Sequence, residues 1–265
     1  MLLTHVKFDE WPAKALREMG AEAVEGVGAW EDLLLVHSEI FLRAAKRAGE
    51  RPLLAVAVAN AALGKRQAVF YIGGTMMAGP HAARGGHFFN AVVYIARKLG
   101  AAVVSIDGHF PRGTWEAHME YKFPLYLIYG GADGPPQRYI HRRGHKAVAI
   151  PMPPGAGDRS FWLAISHVLK AEGPLAIHLG FDIHREDPTG HFFAGEYLFY
   201  KLGEALRGRQ FYISIECTST PKVFASALGS LLAGVAGRGA EPAPGEESEE
   251  ALREVRRVVS SVFKK

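Results

Sequence analysis

"VVSIDGHFPRG", residues 103–113, is an apolar, β-branched run that stops abruptly at an acid, a glycine and a histidine. Similar runs recur along the chain: "LLLVH" (33–37), "AVFYIGG" (68–74), "LYLIYG" (125–130), "KAVAIPM" (146–152), "LAIHLGFD" (175–182) and "QFYISIE" (210–216). Between them lie amphipathic stretches such as "FFNAVVYIARKLG" and "AGEYLFYKLGEALRG", several closing on Gly, the usual left-handed helix stop. Strands that are nearly all apolar and separated by helices indicate a mainly parallel sheet covered on both faces. The expected class is therefore α/β, with three α/β/α layers. Residues 1–265 read as one domain, in which a Pro/Gly/Glu-rich loop over 237–249 leads into a last helix over 250–263.

In open parallel sheets, ligands bind beyond the carboxyl ends of the strands. Asp107 and His109 stand at such an end, Asp182 closes "LAIHLGFD", and Glu216 follows "QFYISIE". Alternate residues of an extended strand face one side, so Asp107-x-His109 suits two ligands of one metal. With Asp182 the set becomes two carboxylates and an imidazole, which zinc accepts with a fourth position left open. Asp107 also suits a helix cap and His109 a loop lining, and the spacing alone leaves both readings standing. Phosphate binding has no support. "GGTMMAGPH" places Pro80 and His81 where a P-loop needs Lys and Ser or Thr, and no Gly-x-Gly-x-x-Gly follows a strand.

Composition narrows the class. Apolar residues make up 48% of 265, enough for a sizeable core, and the net charge is only +4. The one basic concentration, "QRYIHRRGHK" at 137–146, reads as a solvated loop, so nucleic-acid binding is not expected. No apolar run reaches membrane-span length, and "MLLTHVKFDEW" carries no secretory pattern. The single cysteine, Cys217, suits a reducing cytoplasm; it reads as a buried thiol or a soft ligand near the rim. Nothing in the sequence gives an oligomeric state.

The motifs resemble the histone deacetylase and acetylpolyamine amidohydrolase family, of the arginase/deacetylase fold. "VHSEIFLRAA" (36–45) is similar to its early Val-His-Ser element, and "GPHAARGGHFFNAVVYIA" (79–96) to its tandem-histidine loop and following helix. "VVSIDGHFPRGTWE" (103–116) resembles the metal-binding strand end, and "AIPMPPGAGDRSFW" (149–162) the Pro-Gly-x-Gly-Asp loop. "LGFDIHREDPTG" (179–190) resembles the Gly-Phe-Asp-x-His-x-x-Asp-Pro-x-Gly motif, and together these span roughly 31–263. The resemblance implies Asp107, His109 and Asp182 as zinc ligands and His81 as general base on the metal-bound water. Iron and manganese are also compatible with oxygen-rich ligands. Pro111 and His184 replace the extra acids of dinuclear arginases, so a two-metal ureohydrolase site is not implied.

Departures from the family pattern are as informative. Pro80 replaces the first histidine of the pair, and Ser105 and Arg112 replace the carboxylates that orient the two rings. The family's carbonyl-polarising tyrosine is missing from "ECTSTP" (216–221), leaving Ser219 and Thr220 near its place, with His87 as another candidate oxyanion or substrate contact. His184 and His191 are further histidines of the rim loops. The resulting expectation is a zinc-dependent hydrolase of C–N bonds, acting on an acylated lysine, polyamine or related small acyl substrate. It should be weak on unactivated acetyl-lysine, because a lost oxyanion donor costs on the order of 10²–10³ in rate. The alternative is a zinc-containing protein that binds an acyl group or metabolite without turnover.

Overall fold

All six residues of the run 102–107 are buried, whichever side of the strand they face, so both faces of the sheet are covered. The computed structural model describes residues 1–131, 139–142 and 145–263. Of the basic run at 137–146, read as a solvated loop, residues 137, 138, 143 and 144 lie outside the described residues and the rest form antiparallel strand. In chain order the elements are β1 (Leu2–His5), α1 (Trp11–Glu18), β2 (Glu22–Val24), α2 (Trp30–Leu33), α3 (Glu39–Lys46), α4 (Arg51–Leu63), β3 (Gln67–Phe70), α5 (Ala91–Leu99) and β4 (Ala102–Asp107). They continue as α6 (Arg112–Tyr121), β5 (Leu125–Gly130), β6 (Tyr139–Arg142), β7 (His145–Met152), α7 (Asp158–Val168) and β8 (Leu175–Leu179). The last are α8 (Glu196–Leu206), β9 (Phe211–Ile215), α9 (Pro221–Ala236) and α10 (Glu249–Phe263).

The strands form one sheet in the order β2-β1-β3-β9-β8-β4-β5-β7-β6. Every pair is parallel except β6–β7 at one edge. The mainly parallel α/β arrangement expected from the apolar runs is the one observed. Three strands carried no advance signal. β1 and β2 are short, lie near the N-terminus and pair at the opposite edge, and β6 falls in the basic run.

"LLLVH" is not a strand. α2 ends in it, and the amides of Val36 and His37 both donate to the Leu33 carbonyl. Only Leu33, Val36 and His37 of the five are buried, at i, i+3 and i+4, which is helical spacing. A short apolar run does not distinguish the two periods.

Local chemistry sets the helix ends near the rim. The Asn90 side chain caps α5 by accepting from Val93 N–H, and Gly100 closes it at φ 65°. Thr220 caps α9 through Val223 N–H. Buried Asp158, at the start of α7, ties three segments together. It accepts from the amides of Gly195 (2.7 Å), Leu198 (3.3 Å) and Gly245 (2.7 Å) and from the Arg185 guanidinium (2.8 Å). Glu247 adds bonds to the Gly157 and Ser160 amides, so the 237–249 loop is pinned to the rim side of α7. Among the described residues no helix is long and apolar enough to cross a membrane.

Candidate metal centre

β9, β8 and β4 are neighbours in the middle of the sheet, and each releases polar residues at its carboxyl end. Asp107 is the last residue of β4, His109 lies two further on, Asp182 three beyond β8 and Cys217 two beyond β9. His109 Nδ1 is 2.8 Å from Asp182 Oδ2 and 3.1 Å from Asp107 Oδ1. Cys217 Sγ is 3.5 Å from His109 Nδ1 and 3.6 Å from Asp107 Oδ1. One donor atom from each of the four lies within 4.8 Å of all the others.

The close approach of two carboxylates depends on glycine. A Cβ on Gly180 would stand 2.1 Å from Asp107 Oδ2, and one on Gly108 would stand 2.6 Å from Asp182 Oδ2. Asp107 is completely buried, and its Oδ2 has no hydrogen-bond partner among the described residues. Burial, then the Asp182 charge, push the Asp107 carboxyl up from the usual carboxylate range, against the pull of His109. Hydrogen bonds to Asp107 and Asp182 push the His109 imidazole up in turn. Burial and the charges of Asp107, Asp182 and Glu216 raise the Cys217 thiol.

These residues fit a divalent cation. A tetrahedral zinc with bonds of about 2.0–2.3 Å separates its ligand atoms by about 3.3–3.8 Å; the two Cys217 distances fall in that range, and the two His109–carboxylate distances are shorter. The orphaned Asp107 oxygen has a use for such an ion, and the two acids balance its charge.

A second polar group sits beside this one. Glu216 Oε1 is 3.0 Å from His178 Nδ1 and accepts from the Thr75 hydroxyl at 2.8 Å. Its Oε2 accepts from the amides of Thr75 (2.6 Å) and Met76 (3.1 Å), and His178 Nε2 meets the Thr114 hydroxyl at 2.8 Å. Burial raises the Glu216 carboxyl, but the His178 charge and hydrogen bond, with His87 and the Thr75 amide, bring it down to about 2. Sequence reading passed over His178. The available signal was a histidine inside an otherwise apolar buried strand, which must find a partner. Ser105 and Ser214 flank it in register on the two neighbouring strands, and neither hydroxyl has a partner among the described residues.

His81 is not at this centre, and its expected role as the base is corrected by where its loop runs. The Thr114 amide donates to the Met76 carbonyl, Gly113 packs on the backbone of Met77 and Ala78, and Gly79 packs on the Glu116 carboxylate. Following α6 away from Asp107, the chain brings His81 Nε2 to 3.0 Å from Glu120, with its side chain 62% exposed. The path from Gly113 to Glu120 covers about 10 Å of helix.

The other candidates are also engaged elsewhere. Ser219 donates to Asp187, and Thr220 is occupied as the α9 cap. His87 is half-buried over Gly74, and its Nδ1 accepts from Met77 N–H. Burial lowers its pKa, with Glu216 opposing. His184 is buried against Phe199, and its Nδ1 accepts from Glu186 N–H. Beside the centre opens a cleft of about 150 Å³, lined by His109, Asp182, Gly130, Met152, Pro154, His191 and Phe192 among others. A volume of that order takes a benzene-sized group.

No family model and no curated protein matches the chain. Among solved structures it is similar to one described as "Crystal Structure of HDA15 HD domain". The TM-score is 0.75 at 16% identity, over 94% of this chain and 87% of that one. The likeness establishes a shared deacetylase-like fold.

Proposed function

We propose that this chain is a divergent member of the histone deacetylase and acetylpolyamine amidohydrolase family. In this reading Asp107, His109 and Asp182 hold one zinc ion, and the adjoining cleft takes a short acyl group. The protein acts as a hydrolase on activated acyl bonds and is slow on unactivated N-acetyl-lysine. The observation that carries this is the convergence of those three side chains at neighbouring strand ends, around a buried carboxylate oxygen with no partner.

Zinc, when bound, supplies Lewis acidity toward an acyl carbonyl. The chain's own contributions are positioning and exclusion of water. Met152 and Phe192 are buried apolar walls of the cleft, and Gly130 lets the Gly108 carbonyl approach at the cleft floor. What the chain lacks sets the limit. His81 is turned to Glu120, the Ser219 hydroxyl donates to Asp187, and the Thr220 oxygen accepts from Val223 N–H in the α9 cap. A positioned general base contributes about 10²–10⁴ in rate, and an oxyanion donor about 10²–10³.

Zinc-loaded protein is therefore expected to cleave trifluoroacetyl-lysine or aryl-ester analogues at least about 10²-fold faster than plain acetyl-lysine. His81→Ala is expected to leave both rates unchanged. Rapid turnover of acetyl-lysine that vanishes in His81→Ala would restore His81 as the base and overturn this account. The presence of a thiol among the donors favours a second reading, in which an acyl ligand is bound without turnover. Its signature is stabilisation by an acyl compound with no product formed from any ester.

A further inference from the structure

Cys217 holds a place that the deacetylase resemblance does not assign to it. Its Sγ lies 3.5 Å from His109 Nδ1 and 3.6 Å from Asp107 Oδ1, close to the separation of about 3.3–3.8 Å between donors of a tetrahedral zinc. The segment that carries it is fixed on both sides. The Cys217 carbonyl accepts from Phe181 N–H at 2.6 Å, which ties it to the turn presenting Asp182. Glu216, the residue before, is anchored by two amides and His178. Both hydrogen-bonding contacts of the thiol are with candidate ligands. An independent sign that a cation belongs here is Asp107, fully buried with Oδ2 unpartnered.

We propose that Cys217 is the fourth protein ligand of the metal, giving a closed Asp107–His109–Asp182–Cys217 set. The inference rests on the metal reading above and deepens it. As the metal–sulfur bond forms, the thiol proton passes to solvent, and the ion then carries three anionic donors and one neutral one. Four protein ligands are the pattern of structural zinc sites, whereas catalytic sites keep one position open. With its charge overcompensated and its fourth position filled, the ion would meet an acyl carbonyl only by expanding to five-coordination, so a closed set implies slower hydrolysis than an open one. Without a metal, burial and the neighbouring carboxylates hold the Cys217 thiol protonated, so its conversion to a thiolate reports the ion.

The test uses the full chain, stripped by chelator and reloaded with cobalt(II) as the probe. Wild-type protein is expected to bind one equivalent and to show a near-ultraviolet thiolate-to-cobalt charge-transfer band. Cys217→Ser is expected to lose that band and to bind cobalt at least about tenfold more weakly, since losing even an outer partner of a ligand typically costs that much. The wild-type spectrum carries the test even if the serine variant does not fold. One bound equivalent with no charge-transfer band overturns the proposal and leaves the three-ligand metal reading standing. Absence of any bound metal in wild type overturns both.

Discussion

Metal-free protein gains about 4 kcal/mol of unfolding free energy when zinc is supplied at a thousandfold over its dissociation constant, and Asp182→Ala protein gains none of it. The stripped centre is a poor arrangement by itself. Two carboxylates approach each other over Gly180 and Gly108, one of them wholly buried with an oxygen that bonds to nothing. Removing Asp182 relieves the repulsion that helps push Asp107 upward but also loses its contacts with His109 Nδ1 and the Gly108 amide, so the variant is compared with its own zinc-free baseline. What it loses is the response to zinc. Denaturant unfolding of chelated protein, with and without zinc, measures the difference, and elemental analysis reports the ion bound. A wild-type midpoint indifferent to zinc would end the metal reading.

Acidification from pH 6.5 to pH 4 removes about 3 kcal/mol of stability through His37 alone. The ring is 2% exposed and stacked on Phe41 with centroids 3.8 Å apart. Its Nδ1 donates to the Gly79 carbonyl at 2.8 Å and its Nε2 accepts from Asn90 N–H at 3.1 Å, so only the neutral form satisfies both. Burial lowers its pKa from 6.5 to about 4. The unfolded chain therefore takes up the proton first, and stability declines as pH drops below 6.5 until the folded ring also protonates near 4. His87 and His184, both lowered by burial, add to the same limb. Glu216 contributes only below it, from 4.5 towards 2. Urea midpoints across this range should show a shallower acid limb for His37→Gln, from a lower starting stability. An unchanged slope would show that the ring is protonated at no cost in the fold. The consequence is local to the site, because His37 secures both ends of the loop that carries His81 and His87.

Reading the chain linearly worked where the physics is local. Runs such as 102–107 and 125–130 are apolar on both faces, which only a covered parallel sheet explains, and they became β4 and β5 over the quoted residues. It failed at 33–37, where five residues are too few to separate a period of two from one of 3.6. It was silent at β1, β2 and β6, whose pairing is decided by neighbours distant in sequence.

The same division runs through the centre. Asp107, His109 and Asp182 were readable because residue type and strand-end position are written in short segments of sequence. Cys217 joined them because β9 lies against β8, and strand order in a sheet is a property of the whole chain. His81 left them because a loop takes its direction from the surface it packs on, here the length of α6. Residue type and period determine which donors exist and which strand end offers each. Long-range packing alone decides which of them share one small volume, since donors must meet within a few ångströms and no short segment controls that distance.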